Sequence, residues 1–205
     1  MRYRLATEAD AEVLLTIYGQ YIETEISFEY RLPSLDEFRK RIRDILLFYP
    51  YLVAEEDGKV IGYAYAHRHM QREAYQWNAE LSIYLDQKAT SKGIGTELAK
   101  KIIAILKLQG LQKVCSGITQ PNHKSNGLHE KLGFYLIGTY RNAGFKAGRW
   151  YDVSWFQKDI GKHLPQPEKP ISLCELKHEQ IDLILSTPIP LKRTHRHSRL
   201  SFLCA

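Results

Sequence analysis

Sulfur is scarce in this 205-residue chain, which has two methionines and three cysteines, Cys115, Cys174 and Cys204. An odd number of cysteines, far apart and without metal-ligand spacing, excludes a disulfide-stapled scaffold and a cysteine-held metal centre. Apolar runs near the roughly 18 residues of a spanning helix are also missing. The opening residues, MRYRLATEADAE, contain no apolar signal segment. A soluble protein of a reducing, cytoplasmic compartment, with no bound metal, is the expectation. No internal repeat is visible. What is present is ordinary for one catalytic domain: 44% hydrophobic and 25% charged residues. The formal charge of +6 suits nucleic acid, an acidic surface or a cofactor rich in phosphates, and does not choose among them.

Patterning predicts a strand over Tyr3–Ala6 and then a helix starting at Thr7, with Val13, Leu14, Ile17, Tyr18, Tyr21 and Ile22 on one stripe. A second helix starts at Ser34, which has Glu37 at capping-box spacing, and stops before Pro50. Tyr51–Glu55 and Val60–His67 read as a hairpin around Glu56-Asp57-Gly58-Lys59. Trp77–Leu85 alternates as a strand, with Glu80, Ser82 and Tyr84 on one side and Ala79, Leu81, Ile83 and Leu85 on the other. A helix over Thr96–Gln109, a strand over Val114–Thr119, a helix over Asn122–Leu132 and strands over Phe134–Tyr140 and Trp150–Gln157 complete the series. The order β-α-α-β-β-β-α-β-α-β-β implies an α/β fold, a mixed sheet covered by helices. From residue 162 onward, the four prolines between Pro165 and Pro188 (Pro165, Pro167, Pro170, Pro188) and the basic run Leu191–Arg199 suggest a poorly structured appendage to a domain spanning 1–161.

Ser91-Lys92-Gly93-Ile94-Gly95-Thr96 joins a strand to a helix. Such a loop lets main-chain N–H groups approach a pyrophosphate at the positive end of the helix dipole, or it simply makes a tight turn. Leu98 stands where a dinucleotide fingerprint needs its third glycine, and no Walker lysine follows. Around this loop, several segments resemble the GNAT acetyltransferase superfamily, and within it the phosphinothricin acetyltransferase-like group. These are residues 4–10, 21–24, 51–55, 62–66, 79–84, Gly93-Ile94-Gly95, Asn122, Ser125, 128–134 and 144–152.

The resemblance implies a GNAT fold, its parallel strand pair splayed open to admit acetyl-CoA between the Trp77 and Val114 strands. It places the pyrophosphate on the Ser91–Thr96 loop, the pantetheine arm on the main chain of Ile83, Tyr84 and Leu85, and further cofactor contacts at Asn122 and Ser125. Where the family motif often opens with Gln or Arg, this chain has Thr90. Glu80 becomes the candidate general base that takes a proton from the attacking amine, although a strand carboxylate by itself is more often solvated or ion-paired. His129, four residues after Ser125, is either the acid that protonates the departing thiolate or a packed histidine. Phe28, Met70, Arg72 and Tyr75 are the candidate acceptor-site residues, with Arg72 suited to fork onto a carboxylate. Near relatives often have Trp where this chain has His69, and a basic residue where it has Met70. Lys146 and Arg149 fall in a loop that resembles the family's Gly-x-Lys-x-Gly-Arg-Trp segment, which could close over the site or help form a dimer; the plainer expectation is two solvated surface charges. The expected reaction is direct acetyl transfer to a small amino-acid-like amine of the phosphinothricin, methionine sulfoximine or methionine sulfone type. A homodimer is implied by the resemblance, and nucleic acid is not an expected partner. The alternatives are acetylation of a protein N-terminus, lysine or polyamine, and an acetyl-CoA-binding module without turnover.

Overall fold

The computed structural model describes residues 1–189; the basic run Leu191–Arg199 and Cys204 lie outside them. Seven strands form one sheet in the order β1-β2-β3-β4-β5-β7-β6. They are β1 (Arg2–Leu5), β2 (Tyr51–Glu56), β3 (Lys59–Arg68), β4 (Asn78–Leu85), β5 (Lys113–Thr119), β6 (Tyr135–Lys146) and β7 (Arg149–Asp159). Only β4 and β5 run parallel, as a right-handed crossover through an intervening helix requires. The helices are α1 (Ala11–Gly19), α2 (Leu35–Leu46), α3 (Ile94–Leu108), α4 (His123–Lys131) and α5 (His178–Ser186).

Strand alternation divides the apolar residues between two cores. Leu52, Ala54, Ala64, Ala66, Ala79 and Leu81 turn to α3, while Tyr51, Val53 and Tyr63 turn to α1 and α2. Tyr84 packs against the second core, so Glu80 and Ser82, in phase with it on β4, face the same side. The capping box at the start of α2 forms as its spacing requires: the Glu37 N–H donates to Ser34 Oγ (3.2 Å), and the Ser34 N–H donates to Glu37 Oε2 (2.7 Å).

Three expectations change. The first helix stops at Gly19, and Tyr21 sits in the following turns, where its hydroxyl donates to the Leu85 carbonyl (2.6 Å). The last two strands extend into one long hairpin, and the segment expected to be a surface loop becomes a two-residue turn at Ala147 and Gly148, with φ of 49° and 79°. Positive φ at both positions matches a type I′ turn, the twist that hairpins favour. Finally, of the stretch after residue 162, the described part, residues 163–189, is a packed strap. The Ile171 N–H donates to Gln109 O (2.9 Å), the Leu173 N–H donates to Phe48 O (2.9 Å), and Leu173, Leu176 and Ile181 are buried in the α3-side core. Its prolines mark extended backbone rather than loss of structure.

Lys101 fastens the strap's end. Buried within α3, its ammonium donates to the carbonyls of Ile184 (2.8 Å), Leu185 (3.0 Å) and Thr187 (3.0 Å) and lies over the Tyr3 ring. A cation at carbonyls left open by the end of α5 satisfies both their hydrogen-bonding need and the helix dipole. Burial pulls the Lys101 pKa down.

Candidate active site

The parallel ladder between β4 and β5 has three rungs, Asn78 with Lys113, Ala79 with Val114 and Glu80 with Cys115, after which the strands part. Beyond the fork, Ser116 Oγ donates to the Leu81 carbonyl (3.2 Å), and a cleft of about 690 Å³ opens. Its walls include Leu81 to Leu85 of β4, Ser116 to Thr119 of β5, the start of α3, and Asn122, Ser125, Leu128 and His129 from α4 and its cap.

The donors at the start of α3 point to the cleft's use. Gly93 is the N-cap, with φ of 84°, and no side chain caps the helix, so the first main-chain N–H groups of α3 are free for an anion. Gly95 has a different purpose: a Cβ there would lie 3.1 Å from Leu128 Cδ1, so its absence lets α3 approach α4. Ser91, Gly93, Gly95 and Thr96 line the cleft, as do Ile83, Tyr84, Leu85, Asn122 and Ser125. Lys92 and Ile94 are outside the lining; Ile94 is in the core, and Lys124 and Lys131 supply the cleft's lysines. Asn122 is also the N-cap of α4, accepting from the Ser125 N–H (3.0 Å), which leaves its amide NH₂ for a ligand. Thr90, where the family motif often has Gln or Arg, lines the cleft and donates its hydroxyl to the Gln87 carbonyl (3.1 Å).

Glu80 lies at the fork, on the face opposite α3. It is held by histidines on both sides: Oε2 is 3.3 Å from His69 Nδ1, and Oε1 is 4.0 Å from His67 Nε2, His67 being its partner across the β3–β4 ladder. Trp77, just before β4, donates its indole N–H to the Glu168 carbonyl (2.8 Å). His69 also meets Trp155 edge to face at 5.3 Å. The Cys115 sulfur first and the Glu80 carboxylate second push the His69 imidazole up to about 9 from an ordinary 6.5, against the effect of burial. This has a consequence for stability. A proton held more tightly when folded stabilises fully below about 6.5, and the contribution is lost as the pH rises through about 9. Thermal unfolding across that window should show wild type losing on the order of 2 kcal/mol that His69→Gln does not lose. Parallel curves for the two proteins would count against the pair.

His129 is buried, with its ring against Phe134 (5.0 Å, edge to face). Its Nδ1 lies 2.8 Å from the Ser125 carbonyl, which can only accept, so Nδ1 carries the proton and Nε2 holds a lone pair. Nε2 is buried with no partner among the described residues, and burial lowers the pKa of the ring. A neutral ring held in this way presents Nε2 as a hydrogen-bond acceptor.

None of the four residues expected at the acceptor site lines the cleft. Met70, Arg72 and Tyr75 are exposed on the loop after β3, and Arg72 precedes a short 3-10 turn over Glu73–Tyr75. Phe28 packs over Gly144 of β6, where a Cβ would come within 2.2 Å of its ring. Lys146, expected to be a solvated surface charge, is instead buried, and its ammonium donates to the carbonyls of Ile22 (2.7 Å) and Ser27. With the Tyr30 hydroxyl on the Phe145 carbonyl (2.5 Å), it ties the Ile22–Tyr30 loop to the hairpin. Arg149 lies over the Tyr151 ring at 4.5 Å. The sequence reading missed His67, which a correct strand register would have placed opposite Glu80. Among the described residues no group of three or more His, Cys, Asp or Glu side chains is arranged to hold a metal ion, and no helix is long and apolar enough to cross a membrane.

The family model described as an acetyltransferase (GNAT) domain matches residues 3–155. The chain is similar to phosphinothricin N-acetyltransferase of Streptomyces viridochromogenes, 36% identical over 169 residues that cover 82% of this chain and 91% of that one. It is also similar to the L-methionine sulfoximine/L-methionine sulfone acetyltransferase of Salmonella typhimurium, 30% identical over 80% of this chain and 96% of the other. Among solved structures, the phosphinothricin acetyltransferase of Sinorhizobium meliloti in complex with acetyl-CoA superimposes with a TM-score of 0.79 and 34% identity, covering 85% of this chain and 96% of that one.

Proposed function

The chain belongs to the GNAT acetyltransferase domain family, and from that premise we propose that it moves an acetyl group from acetyl-CoA to the amine of a small amino-acid-like acceptor. The observation that carries the reading is the position of Glu80, the last rung before the β4–β5 ladder opens into the cleft. The relatives named above for phosphinothricin and for methionine sulfoximine or sulfone give the acceptor its class.

When bound, acetyl-CoA supplies an activated acetyl thioester. The free N–H groups at the start of α3 would hold its pyrophosphate, Lys124 and Lys131 would add positive charge, and the parted edges of β4 and β5 would receive its pantetheine arm as a sheet receives an added strand. Leu85 would bind through its N–H, or share its carbonyl with Tyr21. The Glu80 carboxylate, oriented by His69 and His67, takes the proton that an ammonium must lose before the nitrogen can attack. His129 shapes the cleft wall and offers Nε2 as an acceptor. Acetyl transfer is direct, with both substrates bound. A thiol-release assay over a panel of amines tests this: turnover should be greatest with phosphinothricin and methionine sulfoximine or sulfone. Preference for a polyamine, lysine or a peptide N-terminus would overturn the acceptor class.

The domain is taken to span 1–161, with the strap after it as a support. Free thiols at Cys115 and Cys174 support a reducing, cytoplasmic setting. A homodimer through the edge strand β6 is part of the same proposal, because Tyr135, Leu136, Ile137 and Tyr140 are all exposed along it; an uncovered apolar edge of this kind is normally managed by pairing. Sedimentation should give twice the chain's mass, and Ile137→Lys should give the monomer. A wild-type monomer at micromolar concentration would remove the dimer from the proposal.

A further inference from the structure

On the α1–α2 side of the sheet lies a second cavity, of about 340 Å³, which shares no lining residue with the cleft. We propose that it seats the distal, oxygen-rich end of the acceptor, a sulfone, sulfoximine, phosphinate or carboxylate group, while the amine rests at Glu80. This assignment depends on the acetyl-transfer reading above and deepens it.

The cavity floor is a ladder of phenols. The Tyr51, Tyr63 and Tyr65 rings stack, with centroids 5.7, 4.9 and 6.4 Å apart and planes within 24° of each other. Side chains stand roughly perpendicular to a sheet, so the hydroxyls are the ends farthest from the strands and nearest α2. Tyr51 and Tyr63 are 2% and 1% exposed. Burial first, and neighbouring charges after it, push both phenols well above their ordinary value, with no hydrogen bond contributing. They are therefore protonated donors. Tyr18, also in the lining, is different, because its hydroxyl is already paired with Ser27 Oγ at 2.6 Å. Arg41 adds a guanidinium, one N–H of which is held by Glu29 (2.7 Å).

Neither the Tyr51 nor the Tyr63 hydroxyl is among the sealed polar atoms that lack a partner, so each opens on the cavity, where a ligand acceptor takes the place of solvent and is recognised by matching the donors. The matching group is rich in lone pairs, and a thioether or plain alkyl chain does not match. The volume lies in the range of small-molecule pockets. The link to the chemistry is His67, which lines the cavity and has its Nε2 4.0 Å from Glu80 Oε1. The phenol nearest this link along β3 is Tyr65, two residues from His67 on the same face, with Tyr51 opposite it on β2.

The test compares methionine sulfone with methionine, which differ only in the two sulfur-bound oxygens, in wild type, Tyr51→Phe and Tyr63→Phe. Phenylalanine keeps the ring stack, and thermal melting verifies that the variants fold. Wild type should favour the sulfone in kcat/KM, and each variant should reduce that preference by about tenfold while the KM for acetyl-CoA stays the same. An unchanged preference overturns the proposal. If wild type acetylates neither compound, the acceptor class has failed, and calorimetric binding of methionine sulfone decides the cavity separately. Binding weakened by both substitutions supports the cavity assignment. Binding indifferent to them, or no binding to wild type, overturns it.

Discussion

Glu80→Gln is expected to lower kcat by about 10²–10⁴, with little change in the KM for acetyl-CoA. Glutamine keeps the shape and remains within reach of His69 and His67, but it has no lone pair basic enough to take a proton from an ammonium. The separation between kcat and cofactor KM is informative because Glu80 lies at the apex of the fork, outside the lining of the cleft. Initial rates over a range of acetyl-CoA concentrations, with the acceptor saturating, separate kcat from the cofactor KM. A variant whose kcat stays within threefold of wild type would show that the proton leaves by another route.

Lys101→Ala is expected to cost on the order of 3 kcal/mol of stability, from a truncated buried side chain and three carbonyls deprived of their donor. The loss should be local as well as global. Among the described residues no other cation reaches the Ile184, Leu185 and Thr187 carbonyls, Lys100 holding only Ile189 beyond them (2.6 Å), so limited proteolysis should cut the 162–189 strap first, and urea unfolding should show a lower midpoint. A change under about 1 kcal/mol would mean that water replaces the ammonium at no net cost, as happens for exposed pairs.

The parts of the structure set by local physics were legible from sequence. Period-two alternation placed Glu80 on the correct side of β4, opposite Ala79 and Leu81. Caps at Ser34 and Asn122 and the glycine-led start of α3 located three helices to within a residue or two. Features that depend on distant pairing were not legible. His67 and His69 reach Glu80 only through the β3–β4 register and the loop after it, and nothing in a hairpin's alternation states which residue will stand opposite. Lys146 read as solvent because lysine usually is, yet the tip of the β6–β7 hairpin carries it against a loop more than a hundred residues earlier. The prolines after residue 162 were read as disorder because pattern rules register lost periodicity and cannot see that Pro170 lies beside Gly110. Residues placed from resemblance fared unevenly. Cofactor-loop positions line the cleft because their backbone defines it, whereas Met70, Arg72 and Tyr75 are side-chain assignments on an exposed loop.

Two cavities without a common wall residue also bear on binding order. If the acceptor enters through the phenol cavity and acetyl-CoA through the fork, neither blocks the other's path. The enzyme can then be loaded from either side first. Product CoA would compete with acetyl-CoA alone, so the steady-state pattern would be that of random addition, and accumulated CoA would slow the reaction without displacing the amine.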